Sequence, residues 1–262
     1  MKGRDNVITL SYGGGKQSIA IITLILEGKL PRPDLIVFAD TSHEVQTTWD
    51  YLETHVQPAL KQLGLQVQVV GHEYANWGIT KGNSPETQAI LLPAFTRQNN
   101  NKIGKMPTFC SNEWKQRPIR RWLKEHGVTD TDVWLGISMD EVERMKPSGL
   151  NWYRHVYPLI ELVPMNRNGC VSQIKNFGWP VPYKSRCYMC PNQSEEAWKQ
   201  MKQLDNGDFQ KAIELERDIR VKDSNIFFHP MAIPLQDAVE LSEKQYNLLD
   251  GFDGCDSGYC FT

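Results

Sequence analysis

No apolar run in this chain approaches the roughly 20 residues that a membrane span requires. The opening Met1-Lys2-Gly3-Arg4-Asp5 leads into the first apolar run without the long apolar stretch of a secretory signal. These absences predict a cytoplasmic protein with no membrane partner. A basic excess is also lacking, since 29 Lys and Arg stand against 31 Asp and Glu, a formal net charge of −2. That balance excludes a generic polyanion binder, whose affinity comes from a strongly basic face releasing many counterions. Cysteine is scarce: Cys110, Cys170, Cys187, Cys190, Cys255 and Cys260 are the six among 262 residues. Such spacing in a cytoplasmic chain serves metal or catalysis rather than a disulfide framework. A chain of this length buries about three quarters of its unfolded surface, so its core suffices without disulfides. Two common glycine signatures are missing too, for neither the P-loop spacing nor G-x-G-x-x-G occurs.

What the chain does contain is Ser11-Tyr12-Gly13-Gly14-Gly15-Lys16-Gln17-Ser18, set between the apolar run Val7 to Leu10 and a helical run from Ile19 to Leu26. Three glycines let successive N–H groups converge on an anion at a helix start. Ser11, Lys16 and Ser18 add hydroxyl and ammonium donors, which suits a nucleotide di- or triphosphate better than a carboxylate. A glycine-rich turn that binds nothing is the bland alternative.

The first half alternates strand and helix signals, which predicts a doubly wound, mostly parallel α/β sheet. Strands are expected at Val7 to Leu10, Asp34 to Ala39, Leu65 to Val70 and Val133 to Ile137. Helices are expected at Gln17 to Glu27, Thr47 to Leu63 and Arg117 to His126. From Tyr74 to Thr108 the pattern weakens, and a connection of that length reads as a mobile lid or binding loop. Helices return at Asn192 to Leu204, Gln210 to Lys222, and Leu241 to Leu249 behind a Ser242 cap. The expected division is 1–165 as a nucleotide-binding α/β domain and 166–262 as a helical, cysteine-containing extension.

Four further segments carry candidate chemistry. Asp40-Thr41-Ser42-His43-Glu44 follows the second strand, where polar residues meet ligand in such sheets or simply turn the chain. Cys110 to Arg121 gathers Lys115, Arg117, Arg120 and Arg121 about a helix start marked by Pro118, either to bind phosphate or as a solvated basic face. Gly136 to Arg144 follows a strand and holds Asp140, Glu141 and Arg144, as an acidic function or an ion-paired helix start. Cys187 and Cys190 form a Cys-x₂-Cys pair that could present two thiolates to one metal. Cys170 reads as a small buried hydrophobe.

These segments together resemble the phosphoadenosine phosphosulfate (PAPS) reductase-like branch of the ATP-pyrophosphatase, or PP-loop, superfamily (adenine nucleotide α-hydrolase-like). The glycine turn is similar to its Ser-Gly-Gly-x-Asp-Ser motif, with Gln17 standing where Asp is usual. Asp40-Thr41-Ser42 resembles an Asp-Thr-Gly segment, and Cys110 to Pro118 resembles Cys-Thr-x-x-x-Lys-x-x-Pro. Gly136 to Arg144 resembles Gly-x-x-x-Asp-Glu-x-x-Arg. Pro182 to Pro191 resembles the Pro-x-Lys-Ser-x-Cys-x-x-Cys-Pro region of uncharacterised bacterial and phage members.

The resemblance implies a PP-loop, HUP-like fold that binds ATP or PAPS with Mg²⁺. It places Ser11, Gly13, Gly14, Gly15, Lys16, Gln17, Ser18, Asp40, Thr41, Ser42, Arg117, Gly136 and Arg144 at the nucleotide. Lys16, Lys115, Asp140, Glu141, Cys255 and Cys260 are its implied catalytic groups. Cys110, Cys187, Cys190 and Cys255 would ligate a [4Fe–4S] cluster, with structural Zn²⁺ or a bare thiol pair as alternatives. The leading expectation is cleavage of ATP to AMP and pyrophosphate that activates an acceptor for sulfur transfer. A nucleic acid or nucleoside is the implied acceptor, with a sulfur-donor protein as partner and a homo-oligomer left open. Reduction of PAPS by a tail cysteine is the second reading, although the tail lacks Glu-Cys-Gly-x-His. A nucleotide-binding component of a modification or defence system, idle because Gln17 replaces Asp, is the third.

Overall fold

The computed structural model describes residues 6–71, 73, 80, 81 and 89–249. In chain order the elements are β1 Val7–Ser11, α1 Lys16–Leu26, β2 Leu35–Ala39, α2 Gln46–Tyr51, α3 Gln57–Gln62, β3 Val67–Val70, β4 Thr80–Lys81, β5 Ala89–Ile90, β6 Phe95–Arg97 and β7 Ile103–Lys105. There follow α4 Arg117–Glu125, β8 Thr131–Leu135, β9 Tyr153–Val156, α5 Pro158–Glu161, α6 Arg167–Asn176, α7 Glu195–Leu204, α8 Asp208–Lys222, β10 Ile226–Phe227 and α9 Leu235–Leu249.

The main sheet has the order β3-β2-β1-β8-β9, and every adjacent pair is parallel. The chain winds outward from β1 through β2 to β3, then returns to the other side of β1 for β8 and β9. The strand order therefore reverses between β1 and β8, where a crevice opens beyond the carboxyl ends of the strands. Ser11 pairs with Leu135 at that point. One apolar cluster lies on the face covered by α1, with Leu10, Ile22, Phe38 and Trp134 among its members, and a second packs Val37 and Val133 against Ile119 and Leu123 of α4. Helices on both faces make this the doubly wound sheet that the alternation predicts.

Helix α1 is buried from Ser18 through Ile25, because α6 lies along it on the side away from the sheet. The expected helix Thr47 to Leu63 is broken internally: α2 and α3 are joined by a π-helical turn at Leu52–Val56, and Pro58 follows at once. A second π-helical turn, Asn112–Gln116, stands in the same relation to Pro118 in α4. A proline lacks an N–H and crowds the carbonyl four residues back, and widening the preceding turn relieves that contact. The wider turn buries Trp114, while Lys115 beside it remains partly exposed.

The chain divides into two compact units, Met1–Leu91 with Thr108–Cys187, and Leu92–Pro107 with Tyr188–Thr262. The expected boundary at 165/166 falls within the first unit, because α6 packs on α1. The second unit contains an antiparallel sheet of order β10-β6-β7 together with α7, α8 and α9. Residues 92–107 of the expected lid are thus a hairpin, turned through Asn101 in the left-handed region (φ 61°). The stretches 74–79 and 82–88 of that segment lie outside the described residues. Helix α9 starts at Leu235, so Ser242 lies inside it rather than at its cap. Helix α7 does have a serine cap, with the Ser194 side chain accepting from the Ala197 N–H. Strands β9 and β10 and helices α5 and α6 had no counterpart in the sequence expectations. No helix among the described residues is long and apolar enough to cross a membrane.

Cys170, on the core-facing side of α6, has no exposed surface. Burial, reinforced by the nearby Asp140 carboxylate, pushes its thiol up to about 12. At about pH 8 its thiolate fraction is on the order of 10⁻⁴, while ordinary thiols are substantially ionised. Iodoacetamide labelling read by peptide mass spectrometry should therefore modify Cys110, Cys187 and Cys190 first and Cys170 only on unfolding. Native-state labelling of Cys170 at the rate of Cys187 would refute this placement.

Candidate functional site

A cavity of about 420 Å³ lies at the switch point, built entirely from the first unit. Its floor is the glycine turn, and the three glycines have different duties. Gly14 has φ of +70°, and a Cβ there would sit 2.6 Å from the Thr48 methyl group, so the fold itself requires glycine. Gly13 and Gly15 line the cavity, and a Cβ at either would meet only open space or the distant Gln17 side-chain oxygen. The backbone is left bare where a ligand would approach it. Gly15 caps α1 in an extended conformation with no side chain bonded to the helix end, so the partial positive charge of the helix start faces the cavity. Tyr12 anchors the turn from below, edge-on to Phe38 at 5.7 Å, and burial followed by the proximity of Tyr51 keeps its phenol neutral.

Five cationic residues line this space: Lys16, Lys115, Arg144, Arg167 and Lys184. Among the described residues, the acidic one lining it is Glu141, which is fully engaged. Its Oε1 accepts from Arg144 (2.5 Å) and Arg167 (3.0 Å), and its Oε2 accepts from the Gln17 amide at 2.7 Å. Gln17 therefore serves as a donor to the carboxylate that orders two arginines. Gly136, at the end of β8, approaches α1 so closely that a Cβ would lie 3.1 Å from the Ser18 amide nitrogen.

Lys115 is held from behind by Glu44, whose side chain is fully buried and accepts from Nζ at 2.8 Å. Sequence reasoning assigned Glu44 no role, although an acidic residue at a strand's carboxyl end was a usable signal. It also gave no site role to Arg167, Lys184 or Ser185. Ser185 donates to the Gly13 carbonyl at 2.5 Å, and the segment before Cys187 is fixed by a Val45 N–H bond to the Arg186 carbonyl and a bridge between Glu44 and Cys187. The Lys184-Ser185 pair before the Cys-x₂-Cys motif is thereby laid against the glycine turn.

Other expected residues fall elsewhere. Asp40 accepts from the Ser42 N–H at 2.6 Å, with Ser42 at φ 59°, so these two turn the chain and do not line the cavity. Thr41 is buried and lies 3.3 Å from the Cys187 sulfur. Asp140 is also outside the cavity, accepting from the Ser138 hydroxyl and the Arg167 N–H. Desolvation opposes its charge, but these bonds, its own backbone N–H and the Arg167 charge together hold its carboxyl below the usual range. Arg117 pairs with Glu113 and faces a separate groove. Cys187 belongs to the first unit and Cys190 to the second, and none of the four described cysteines is disulfide-bonded. Cys255 and Cys260 lie outside the described residues.

The donor set does not fit a protein-held Mg²⁺. That ion needs carboxylate or other oxygen ligands, and Glu141 is already bound by two guanidinium groups and an amide. Among the described residues, no three His, Cys, Asp or Glu side chains are grouped to hold a metal.

Fold and site together define a doubly wound α/β protein with a polyanion cradle at its topological switch point. No family model matches the sequence, and no curated protein matches it. Solved structures similar to it include phosphoadenylyl-sulfate (PAPS) reductase from Candida auris in a phosphate complex, at 16% identity and TM-score 0.41, covering 67% of this chain and 74% of that one. They also include the U34-tRNA thiolase NcsA from Methanococcus maripaludis with its [4Fe-4S] cluster, at 13% identity and TM-score 0.43, covering 96% of this chain and 76% of that one.

Two outcomes test the cradle. Gly14→Ala should lower stability by about 1–3 kcal/mol in thermal or urea unfolding, whereas Gly13→Ala should unfold like the parent but weaken pyrophosphate binding. Equal stability of the two variants would contradict the division of labour. Isothermal titration with pyrophosphate should give similar affinity in EDTA and in Mg²⁺. A strict Mg²⁺ requirement would show that a protein-held metal has been missed.

Proposed function

We propose that this protein is a PP-loop enzyme that binds ATP by its phosphates and acts at the α-phosphate, releasing pyrophosphate to activate an acceptor for sulfur transfer. The observation that supports this reading best is the charge of the cavity, with five cations and one already neutralised carboxylate around bare glycine backbone. A triphosphate carries the charge and the length to engage such a set, whereas a single carboxylate does not.

In this reading an acceptor oxygen attacks the α-phosphorus, and the bond from that phosphorus to the bridging oxygen breaks, with its electron pair leaving on pyrophosphate. Lys16, the Gly13 and Gly15 backbone and the start of α1 hold the departing phosphates. Arg144 and Arg167, fixed on Glu141, and Lys115, fixed on Glu44, sit ready for the charge that develops. Fixed donors of this kind need no reorganisation during reaction, and electrostatic stabilisation is the main contribution they can make. A sulfur nucleophile then displaces AMP from the adenylated acceptor, forming the bond to sulfur as the bond to AMP oxygen breaks. That nucleophile is sulfide-level sulfur brought by a donor, since an unmodified cysteine thiol would leave the acceptor bound to the protein as a thioether. A cysteine-bound iron–sulfur cluster would, when bound, present exogenous sulfide to the activated acceptor.

Release of pyrophosphate from ATP across nucleoside, tRNA and DNA acceptors tests the proposal. Lys16→Ala and Lys115→Ala should each lower the rate by about 10²–10³-fold, the usual cost of one transition-state donor. Sulfite release from PAPS without ATP turnover would reassign the cradle to sulfonucleotide reduction. Tight ATP binding with no turnover on any acceptor would favour a binding component.

A further inference from the structure

A second concavity, of about 300 Å³, lies along α4 in the first unit and is lined by Arg117, Arg120, Arg121, Lys124, Leu150 and Trp152. Four of its six lining residues are cationic and none is acidic. Arg117 pairs with Glu113, whose side chain is largely buried. Arg120 is pinned by the Gln116 carbonyl and the Asn112 side-chain oxygen, both uncharged. Lys124 lies over the Trp152 ring at 5.0 Å from its centroid. Asp130, the acid nearest in sequence beyond the helix, is taken by Arg154. The packing face of α4 needs none of the four cations, since Pro118, Ile119 and Leu123 supply it.

We infer that this groove is a docking surface for an unpaired stretch of nucleic acid, with phosphates on the cations and a base on the face of Trp152. The chain's net charge of −2 removes a general attraction to polyanions and leaves the attraction local, since charge gathered in a low-dielectric cleft focuses the field there. Arg117 to Lys124 spans about 10 Å of helix, and the side chains reach beyond both ends, so the row of cations can follow a short run of successive phosphates. Indole is a stacking platform for an exposed base, and the ring face on which Lys124 rests is the one a base would take while the ammonium moves to phosphate. The inference rests on the reading that activation serves an acceptor outside the protein, but its readout is binding, so failed turnover and failed docking appear in separate experiments.

Fluorescence anisotropy with labelled single strands of about 12 nucleotides, RNA and DNA of one mixed sequence, tests it on the full chain. Saturable binding on the order of 10⁻⁶–10⁻⁴ M is expected, weakening about 50-fold between ~50 and ~200 mM salt if four contacts each contribute a slope of about −0.7. Arg121→Gln with Lys124→Gln, both at exposed positions, should flatten that slope by about 1.4. Trp152→Leu should weaken binding about tenfold or more, with circular dichroism confirming the fold and Lys124→Gln alone as the milder check. Either order of RNA and DNA supports the surface and identifies its source. Absence of saturation, an unchanged slope in the double variant, equal affinity for a duplex of the same length, or displacement by saturating pyrophosphate would each overturn the assignment.

Discussion

The carboxylate of Glu141 joins three parts of the chain that the sequence keeps far apart. Gln17 belongs to the first turn of α1, Arg144 to the segment after β8, and Arg167 to the start of α6, and all three donate to this one group. Without it, two guanidinium groups would face each other across a cavity that already holds three lysines. It also explains Gln17 in physical terms. An aspartate there would set a second carboxylate within hydrogen-bond distance of Glu141, where like charges disfavour joint ionisation, whereas an amide donates. Gln17 and Glu141 are a matched pair, and the departure from the PP-loop pattern is consistent with a site that still gathers phosphate-binding charge.

That gathering has a cost in the ligand-free protein. Five cations around one carboxylate repel one another, and the bare glycine turn and unfilled helix start are likewise unfavourable until an anion arrives. Proteins accept such local violations where a ligand resolves them, with stability supplied elsewhere. Here the compensation is visible in the closely packed α1, buried along nearly its whole length between the sheet and α6, and in the buried Glu44 behind Lys115. A polyanion that binds the folded state and not the unfolded one would add stability in proportion to its concentration over its dissociation constant, on a logarithmic scale.

Much of this was legible in the residues. The apolar runs about Val7 and Leu35, the helical periodicity of Ile19 to Leu26 and the glycines between them imply a strand–turn–helix with an anion site, because local propensity and tertiary role agree there. Reading failed where long-range contacts decide. Helix α6 has a glycine and several polar residues and little amphipathic pattern, and it is stabilised by burial against α1. Asp40 looked like a ligand because it ends a strand, yet its carboxylate is used on the Ser42 N–H. The lid or binding loop expected over Tyr74 to Thr108 contains paired backbone that the sequence pattern does not signal, β6 and β7 of the second unit. Both π-helical turns were invisible as well, although each stands just before a proline whose ring requires the wider turn.

The contact least accessible to sequence reasoning has the widest consequence. Ser185 bonds to the Gly13 carbonyl across 172 positions of sequence, and this pins the segment before Cys187 to the glycine turn through a residue that resembles an ordinary loop serine. Cys187 is two residues further on, so its Cα lies within about 7 Å of that of Ser185 by chain reach alone. Thr41, at the end of β2, holds the sulfur from the other side at 3.3 Å. The segment after β2 therefore acts by fixing where Cys187 stands. The glycine turn and a thiol that the sequence separates by more than half its length are held by two short hydrogen-bonded links within one unit.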